Sequence, residues 1–332
     1  MSKAEEAPRI SVVIVNHNGQ RFLERACASL RSQTHVNREV LCVDTASSDD
    51  SVSFLKTHFP EVRVIEAENR GFGTACNLGA RSATGTYVMF LNEDMHVPPR
   101  FLESLLQAYT NLRRENPNIG ALGCTEDAYD GTRRPDVYPG TIDCFGFVAP
   151  NRQRSRFGAF IPGCPFFIRR DLFLESGGFC EQIFLYGDDT DLSWRLVLRG
   201  KTNATAPEIR LYHYEGASME GFPPRKIRAL LLSTMISLFN NYSFPALCVL
   251  LPLNLLSTLT VVNAGLFLLT HGGLRYNAAA FGAIADFVRT VPALVPFRRR
   301  VQQMRVVSDL TFLRRHITLI PSLLATRSYR RL

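Results

Sequence analysis

The sequence predicts an α/β protein: a Rossmann-like, mostly parallel sheet with helices on both faces, followed by an apolar helical region. Three observations carry this reading. Short, largely apolar, β-branched runs alternate with helical spacing over the first hundred residues. Polar residues follow several of those runs at once. The last third of the chain holds 46 consecutive residues, Ala229 to Leu274, with no Asp, Glu, Lys or Arg.

Taken in order, Ile10–Val15 (ISVVIV) is a β-branched run apolar at every position but Ser11, as in a strand covered on both faces. Phe22, Leu23, Ala26 and Leu30 then recur at helical spacing. Val40–Val43 reads as a second strand, and Ser48-Asp49 as the cap of a helix through Phe59 with Val52 and Leu55 inward. Val62–Ile65 is a third strand, Gly73 to Ser82 a helix, and Tyr87–Leu91 a fourth strand. Residues 120–180 hold many Gly, Pro and aromatic residues without a clean period, so loops and short strands are expected there. A helical stripe returns after Asp188 with Leu192, Leu196 and Val197, and Gly200 is a suitable stop.

Charge divides the chain. From Gly221 to Leu332 there are 14 basic residues against two acids, Asp286 and Asp309, a net of +12 in a protein of net +8. Residues 1–220 are therefore acidic by about four charges. Because the basic part is also the apolar part, membrane lipid is the expected partner and nucleic acid is not. Pro245–Thr270 is long enough to cross a bilayer, which takes about 20 residues. Asn277 to Phe297 is a poorer apolar segment carrying Asp286 and Arg289, and Arg298-Arg299-Arg300 follows it. The positive-inside rule puts that triplet in the cytosol and suggests two spans or a re-entrant hairpin. The N-terminal MSKAEEAPR has acids and no apolar core, so it does not read as a signal peptide. Eight scattered cysteines without a C-x-x-C pair suit reduced thiols in a cytosolic domain.

In open α/β sheets ligands bind beyond the carboxyl ends of the strands. Those ends carry Asn16 and Asn18, then Asp44, then Asn92, Glu93 and Asp94. A carboxylate at a strand end suits Mg²⁺ or Mn²⁺ bridging diphosphate oxygens, though the same run would make an acid-rich surface turn. Asp44 opens a turn and is placed either to accept the N3–H of a pyrimidine base or to cap the turn. Asn69-Arg70-Gly71-Phe72-Gly73 opens the helix that continues through Asn77; its glycines let backbone approach a ligand, and a helix start favours anions. It lacks the third glycine of a dinucleotide fingerprint, since Cys76 stands there. Asp188, Asp189 and Asp191 at a helix start exceed what capping needs, so one is placed either as a general base acting on a sugar hydroxyl or, with the others, as cap and surface charge. His213, in YHYEGAS, is by itself as well read as structural.

The ordered set SVVIVNHNG (11–19), VDTASSDDS (43–51), NRGFGTACNLG (69–79), YVMFLNED (87–94), GGFCEQIFLYGDDTDLSWR (177–195) and YHYEGAS (212–218) resembles the family 2 glycosyltransferases of GT-A fold, most of all their rhamnosyltransferase-like branch. The resemblance implies a catalytic domain over 1–220 and a membrane-associated helical region over 221–332. It implies an inverting, metal-dependent transfer from a nucleotide-sugar, dTDP-rhamnose or a UDP-sugar, to a lipid-linked or glycan acceptor in cell-surface polysaccharide synthesis. By that resemblance Asp44 reads the base, and Asn16, Asn18, Asn69, Gly71, Gly73, Asn77 and Asn92 line the nucleotide-sugar site. Asp94 and His213 hold Mg²⁺ or Mn²⁺, and Asp189, beside Asp188, is the catalytic base. Asn92 replaces the first acid of the family's D-x-D, and Glu93 stands where the branch often has proline. The Q-x-x-R-W motif of processive synthases is missing after Asp191, which implies single transfers. The expected location is the inner or plasma membrane with the catalytic domain in the cytoplasm. Two other readings compete. A nucleotidyltransferase would show a Gly-rich basic loop after the first strand, unlike Asn16-His17-Asn18-Gly19-Gln20. An inactive membrane scaffold with a nucleotide pocket would show no turnover.

Overall fold

The computed structural model describes residues 7–149, 154–214, 223–257 and 273–316. Its first part alternates strand and helix: β1 (Ile10–Asn16), α1 (Gln20–Arg31), β2 (Arg38–Thr45), α2 (Ser51–His58), β3 (Arg63–Ala67), α3 (Phe72–Ser82) and β4 (Tyr87–Asn92). A two-residue strand β5 (Met95–His96) and helix α4 (Phe101–Glu115) follow. The middle contains β6 (Ile119–Ala128), β7 (Thr141–Ile142), β8 (Val148–Ala149), β9 (Phe157–Gly158), β10 (Phe166–Arg169) and α5 (Arg170–Glu175). Then come α6 (Asp188–Leu198) and β11 (Thr202–His213).

The main sheet runs β3-β2-β1-β4-β10-β6-β11-β5. From β3 to β4 every pairing is parallel. Beyond β4 the sheet is mixed, which corrects the expectation of a mostly parallel sheet. β10 is antiparallel to both its neighbours, β6 and β11 run parallel, and β5 and β9 join β11 antiparallel. The change comes from β10, inserted antiparallel between β4 and β6, which run the same way as each other. β6 carries Gly120 and Gly123 and ends in Thr125, Glu126 and Asp127, which face partners far away in sequence. A ten-residue strand therefore stands where loops and short strands were expected.

Alternation along β1 and β4 explains the two covering layers. Ile10, Val12 and Ile14 join Met89 and Leu91 in one core, under α1, α2 and α4. Val13, Val15, Val88 and Phe90 join the other, with Cys76, Phe173 and Leu192 from α3, α5 and α6. A strand buried on both faces shows no polar alternation, which is why it reads as a continuous apolar run. Helix α3 lies so close on β1 that a Cβ on Gly79 would meet Val13 at 2.3 Å.

Among the described residues, four further helices follow: α7 (Pro224–Asn241), α8 (Phe244–Ser257), α9 (Gly273–Gln303) and α10 (Asp309–His316). They are packed on the sheet domain. Leu238 and Tyr242 share a buried cluster with Trp194 and Leu198 of α6 and with Phe312 of α10. Met235 and Ile236 share another with Cys180, Ile183 and, on α9, Ala280, Ala283 and Phe287. Among the described residues, one helical stretch, Asn277–Gln303, is long and apolar enough to cross a membrane. The other expected span, Pro245–Thr270, lies partly outside the described residues, and α8 covers the described part.

Candidate active site

Register puts the expected residues on one edge. Asn16 pairs with Asp44 across β1 and β2, and Val15 with Asn92 across β1 and β4. Asp44 is buried and held by three donors. Asn16 Nδ2 donates to Oδ2 at 2.7 Å, the Ser47 hydroxyl to Oδ2 at 2.7 Å, and the Ser47 backbone N–H to Oδ1 at 3.0 Å. Asn18 has a positive φ of 54°, which Asn tolerates better than most residues. Its Oδ1 accepts the backbone N–H groups of Ser48 (2.7 Å) and Asp49 (3.3 Å). Asn16 and Asn18 thus lock the turn that presents Asp44.

The strand pair β5–β11 builds the second cluster. Met95 pairs with His213, and the Tyr214 N–H donates to the Asp94 carbonyl at 3.2 Å, so Asp94 and His213 are brought side by side. Asp94 Oδ1 lies 3.3 Å from His213 Nε2. Both atoms are buried, and neither has a hydrogen bond. The other ring nitrogen, Nδ1, lies 2.7 Å from Glu126 on β6. Burial disfavours the charged ring, but the carboxylates of Asp94 and Glu126 outweigh it and raise the His213 pKa to about 10. Glu93, between Asn92 and Asp94, packs against the bare Cα of Gly19, where a Cβ would meet its Cγ at 2.4 Å. Burial first, then Asp94, pushes the Glu93 pKa up to about 7.

The Asn69–Asn77 segment serves a different close approach from the one expected. Gly71 has φ 95°, and a Cβ there would meet the Phe184 carbonyl at 2.4 Å; a Cβ on Gly73 would meet Phe179 at 2.8 Å. Asn69 Oδ1 accepts the Gly71 N–H at 3.3 Å. Asn77 is buried, donates to the Phe179 carbonyl (2.9 Å) and accepts the Phe179 N–H (2.8 Å). The glycines and Asn77 therefore seat the protein's own 179–184 segment, which leads into the acidic start of α6.

There the three acids separate. Asp191 is fully buried, pairs with Arg195 at 2.9 Å and accepts Asn241 Nδ2 at 2.9 Å from α7, so it holds the fold. The Asp188 carboxylate points towards Gly73, with Oδ2 3.7 Å from the site of a Cβ there. Asp189 stands over Gly163, where a Cβ would lie 3.2 Å from its own, and its Oδ1 accepts the Thr190 N–H at 2.7 Å. The next residue, Cys164, donates through Sγ to Asn92 Oδ1 at 3.2 Å, which ties the end of β4 to this acid. Desolvation raises the pKa of both Asp188 and Asp189; for Asp188 the neighbouring charge of Asp189 adds to it. A carboxyl whose folded-state pKa is raised contributes stability fully below its unfolded value and loses it as pH rises through the folded one. Asp188→Asn should therefore raise the melting temperature near neutrality and leave it unchanged in acid. An equal gain at both pH values would show that the carboxylate's charge is not the cause.

Sequence reasoning missed Glu126, Gly163 and Cys164. All three lie in the stretch without a period, and their partners are more than 20 residues away. An acid inside an otherwise apolar strand, such as Glu126 in IGALGCTEDA, was the available signal.

The profile described as Glycosyl transferase family 2 matches residues 11–177, half of the chain. It ends before α6, so Asp188 and Asp189 lie outside it. An N-acetylglucosaminyl-diphospho-decaprenol L-rhamnosyltransferase of Mycobacterium tuberculosis is 28% identical over 265 residues, 70% of this chain and 85% of that protein. Among solved structures, GalNAc-T7 with UDP, GalNAc and Mn²⁺ superposes with a TM-score of 0.67 at 16% identity, covering 93% of this chain and 56% of that one. The Pyrobaculum calidifontis mannosyltransferase with GDP-Man and Mn²⁺ gives 0.53 at 19% identity, covering 86% and 88%. At these identities the two structures show the mixed α/β fold alone. The matched profile, which spans the sheet edge with Asn16, Asp44 and Asp94, places the chain in glycosyl transferase family 2 as a glycosyltransferase, and the mycobacterial relative supports its rhamnosyltransferase-like branch.

Proposed function

We propose that this glycosyltransferase moves a sugar from a nucleotide-sugar, dTDP-rhamnose or a UDP-sugar, to a lipid-linked glycan acceptor at the cytoplasmic face of a membrane, inverting the anomeric centre. The observation that carries the reading is the facing pair Asp94 Oδ1 and His213 Nε2, buried and without hydrogen bonds. A divalent cation is the kind of group that satisfies a carboxylate oxygen and an imidazole nitrogen together, and Glu126 on the other ring nitrogen is the usual partner of a metal-bound His. Among the described residues no three His, Cys, Asp or Glu side chains form a complete cation site. Phosphate oxygens of the donor and water would supply the remaining ligands, which fits a cation bound with the donor. The nitrogen ligand suits Mn²⁺ better than the harder Mg²⁺. When bound, the cation supplies neutralisation of the leaving diphosphate.

The chain's own residues do the rest. Asp44, fixed by Asn16 and Ser47, receives the base. Asn92, held by Cys164, lines the sugar side. Asp189 takes the proton of the acceptor hydroxyl as it attacks from the face opposite the nucleotide. The name of the mycobacterial relative, with its decaprenol-linked acceptor, supports a lipid-linked substrate, and the uncharged stretch from Ala229 to Leu274 supports work beside a membrane.

A panel of nucleotide-sugars titrated with and without Mn²⁺ tests this. One donor should bind tightly only with the cation, and Asp94→Ala should remove that dependence while the protein stays folded. Undiminished Mn²⁺-dependent binding in the variant would take Asp94 out of the site.

A further inference from the structure

Helices α8 and α9 are inside out for a protein surrounded by water. On α8 the polar Asn254 is buried and donates to the Phe145 carbonyl at 3.3 Å. Phe244, Val249, Leu253 and Leu256 face outward, between 46% and 73% exposed. On α9 the outward positions Phe281 (60% exposed), Ala285, Val288 (63% exposed) and Pro292 follow each other at helical spacing. Contiguous apolar faces of this kind mark a contact site rather than ordinary surface. The acid on α9, Asp286, is neutralised by Arg228 at 2.6 Å, with Arg289 at 3.7 Å. Arg289 is exposed, and Arg299 and Arg300 are exposed beyond the apolar stripe, so the rim is positive.

The opposite side of α9 is not available to lipid. Ala280, Ala283, Phe287 and Leu294 are buried in the cluster shared with α7. Gln302 donates to the Asn240 carbonyl at 2.8 Å, and Arg298 to the Tyr242 carbonyl at 2.8 Å. Asn241 of α7 in turn binds the buried Asp191. A crossing α9 would draw this polar network into hydrocarbon, where unsatisfied groups cost several kcal/mol each. The same framework reaches the active site: Arg228 touches Gly282 of α9, and Lys226, two residues earlier, stacks on Tyr186 at 5.3 Å. Phe184 and Leu185, just before the catalytic acids, are exposed apolar residues on that lip.

We propose that the outward faces of α8 and α9, rimmed by Arg289, Arg299 and Arg300, dock in the plane of an anionic bilayer without α9 crossing it. The arrangement holds the Phe184–Asp189 lip at the lipid surface. A helix with one apolar face and basic flanks binds an interface in this way. The function of the contact rests on the lipid-linked acceptor proposed above, but the contact itself is measurable without it.

The test uses the full chain and vesicles of phosphatidylcholine alone or mixed equally with phosphatidylglycerol. Flotation should show binding to the anionic vesicles that high salt does not reverse. Val249→Asp with Val288→Asp should lower binding at least tenfold, with UDP or dTDP binding in the same sample unchanged. Arg299→Gln and Arg300→Gln should each weaken it about fivefold, the loss of one basic contact with an anionic surface. For topology, Cys248 is replaced by Ser, and Asn277→Cys or Gln303→Cys is labelled from outside sealed vesicles with a membrane-impermeant maleimide. Labelling of both ends is expected; labelling of one only means a crossing helix and overturns the proposal. So does absence of vesicle binding, or a dimer that the Asp substitutions dissociate while vesicle binding persists. If vesicles bind but no lipid-linked acceptor is used with any donor, the acceptor reading fails and the docking surface stands.

Discussion

Replacing Asp189 by Asn should lower turnover by roughly 10²–10⁴-fold, the usual range for a general base, while donor affinity changes little. The substitution keeps the size of the side chain and an oxygen for the Thr190 N–H, but it removes the carboxylate proposed to take the proton. With Asp189 as the base, its burial, which raises its pKa, should place the acid limb of the native pH–rate profile above the ordinary carboxylate range. The sign follows from the role: the base must be ionised, so the rate falls as pH drops through that value. The variant should lose this limb along with its rate. Asp188→Asn is the control, because its carboxylate points towards α3. If it stopped turnover and Asp189→Asn did not, the roles within the pair would be reversed.

A chain ended at Glu220 should fail to fold. Composition suggests the contrary: the cut removes the uncharged stretch and the +12 charge, and it leaves every expected donor ligand in place. Packing decides otherwise. The cut strips Asn240 and Asn241 from Asp191 and leaves the Asp191–Arg195 pair exposed on a bare apolar face. It also removes Ile227, Leu231, Met235, Ile236 and Leu238, all buried on α7. At about 2 kcal/mol for each buried apolar side chain, the five contribute about 10 kcal/mol, comparable with the whole stability of a typical domain. Solubility, circular dichroism and nucleotide binding of the fragment measure this. A soluble fragment that binds its donor as the full chain does would show that α7 is dispensable to the catalytic domain.

Local pattern made the first half of the fold legible. Ile10–Val15 and Tyr87–Leu91 read as strands because both their faces are covered, and the polar residues behind them fall on one sheet edge. The same logic gave way after Phe101. Helix α4 was not read, and β6 and β11 escaped notice because their polar positions are matched by distant groups. Thr125 donates to the Pro207 carbonyl, and Asp127 pairs with Arg210, each more than 80 residues away. The Asn69–Asn77 segment was read as letting backbone come close to a ligand; in the structure Gly71 lies against the Phe184 backbone and Gly73 against Phe179.

The sequence by itself determined the α/β class, the edge that carries Asn16, Asp44 and Asp94, the acidic start of α6, and the division between an acidic and a basic, apolar part. Each depends on residues close together in the chain, because hydrophobic period and turn chemistry are local properties. Tertiary structure alone decided the rest. It set Asp94 against His213 through the β5–β11 pairing, and it sorted three acids that look equivalent in sequence into one ion-paired with Arg195 and two raised in pKa by burial. It also turned one side of α9 onto α7 and left the other side open. The burial of a charge and the choice of a partner depend on what the rest of the chain brings within a few ångströms, and no local pattern records that.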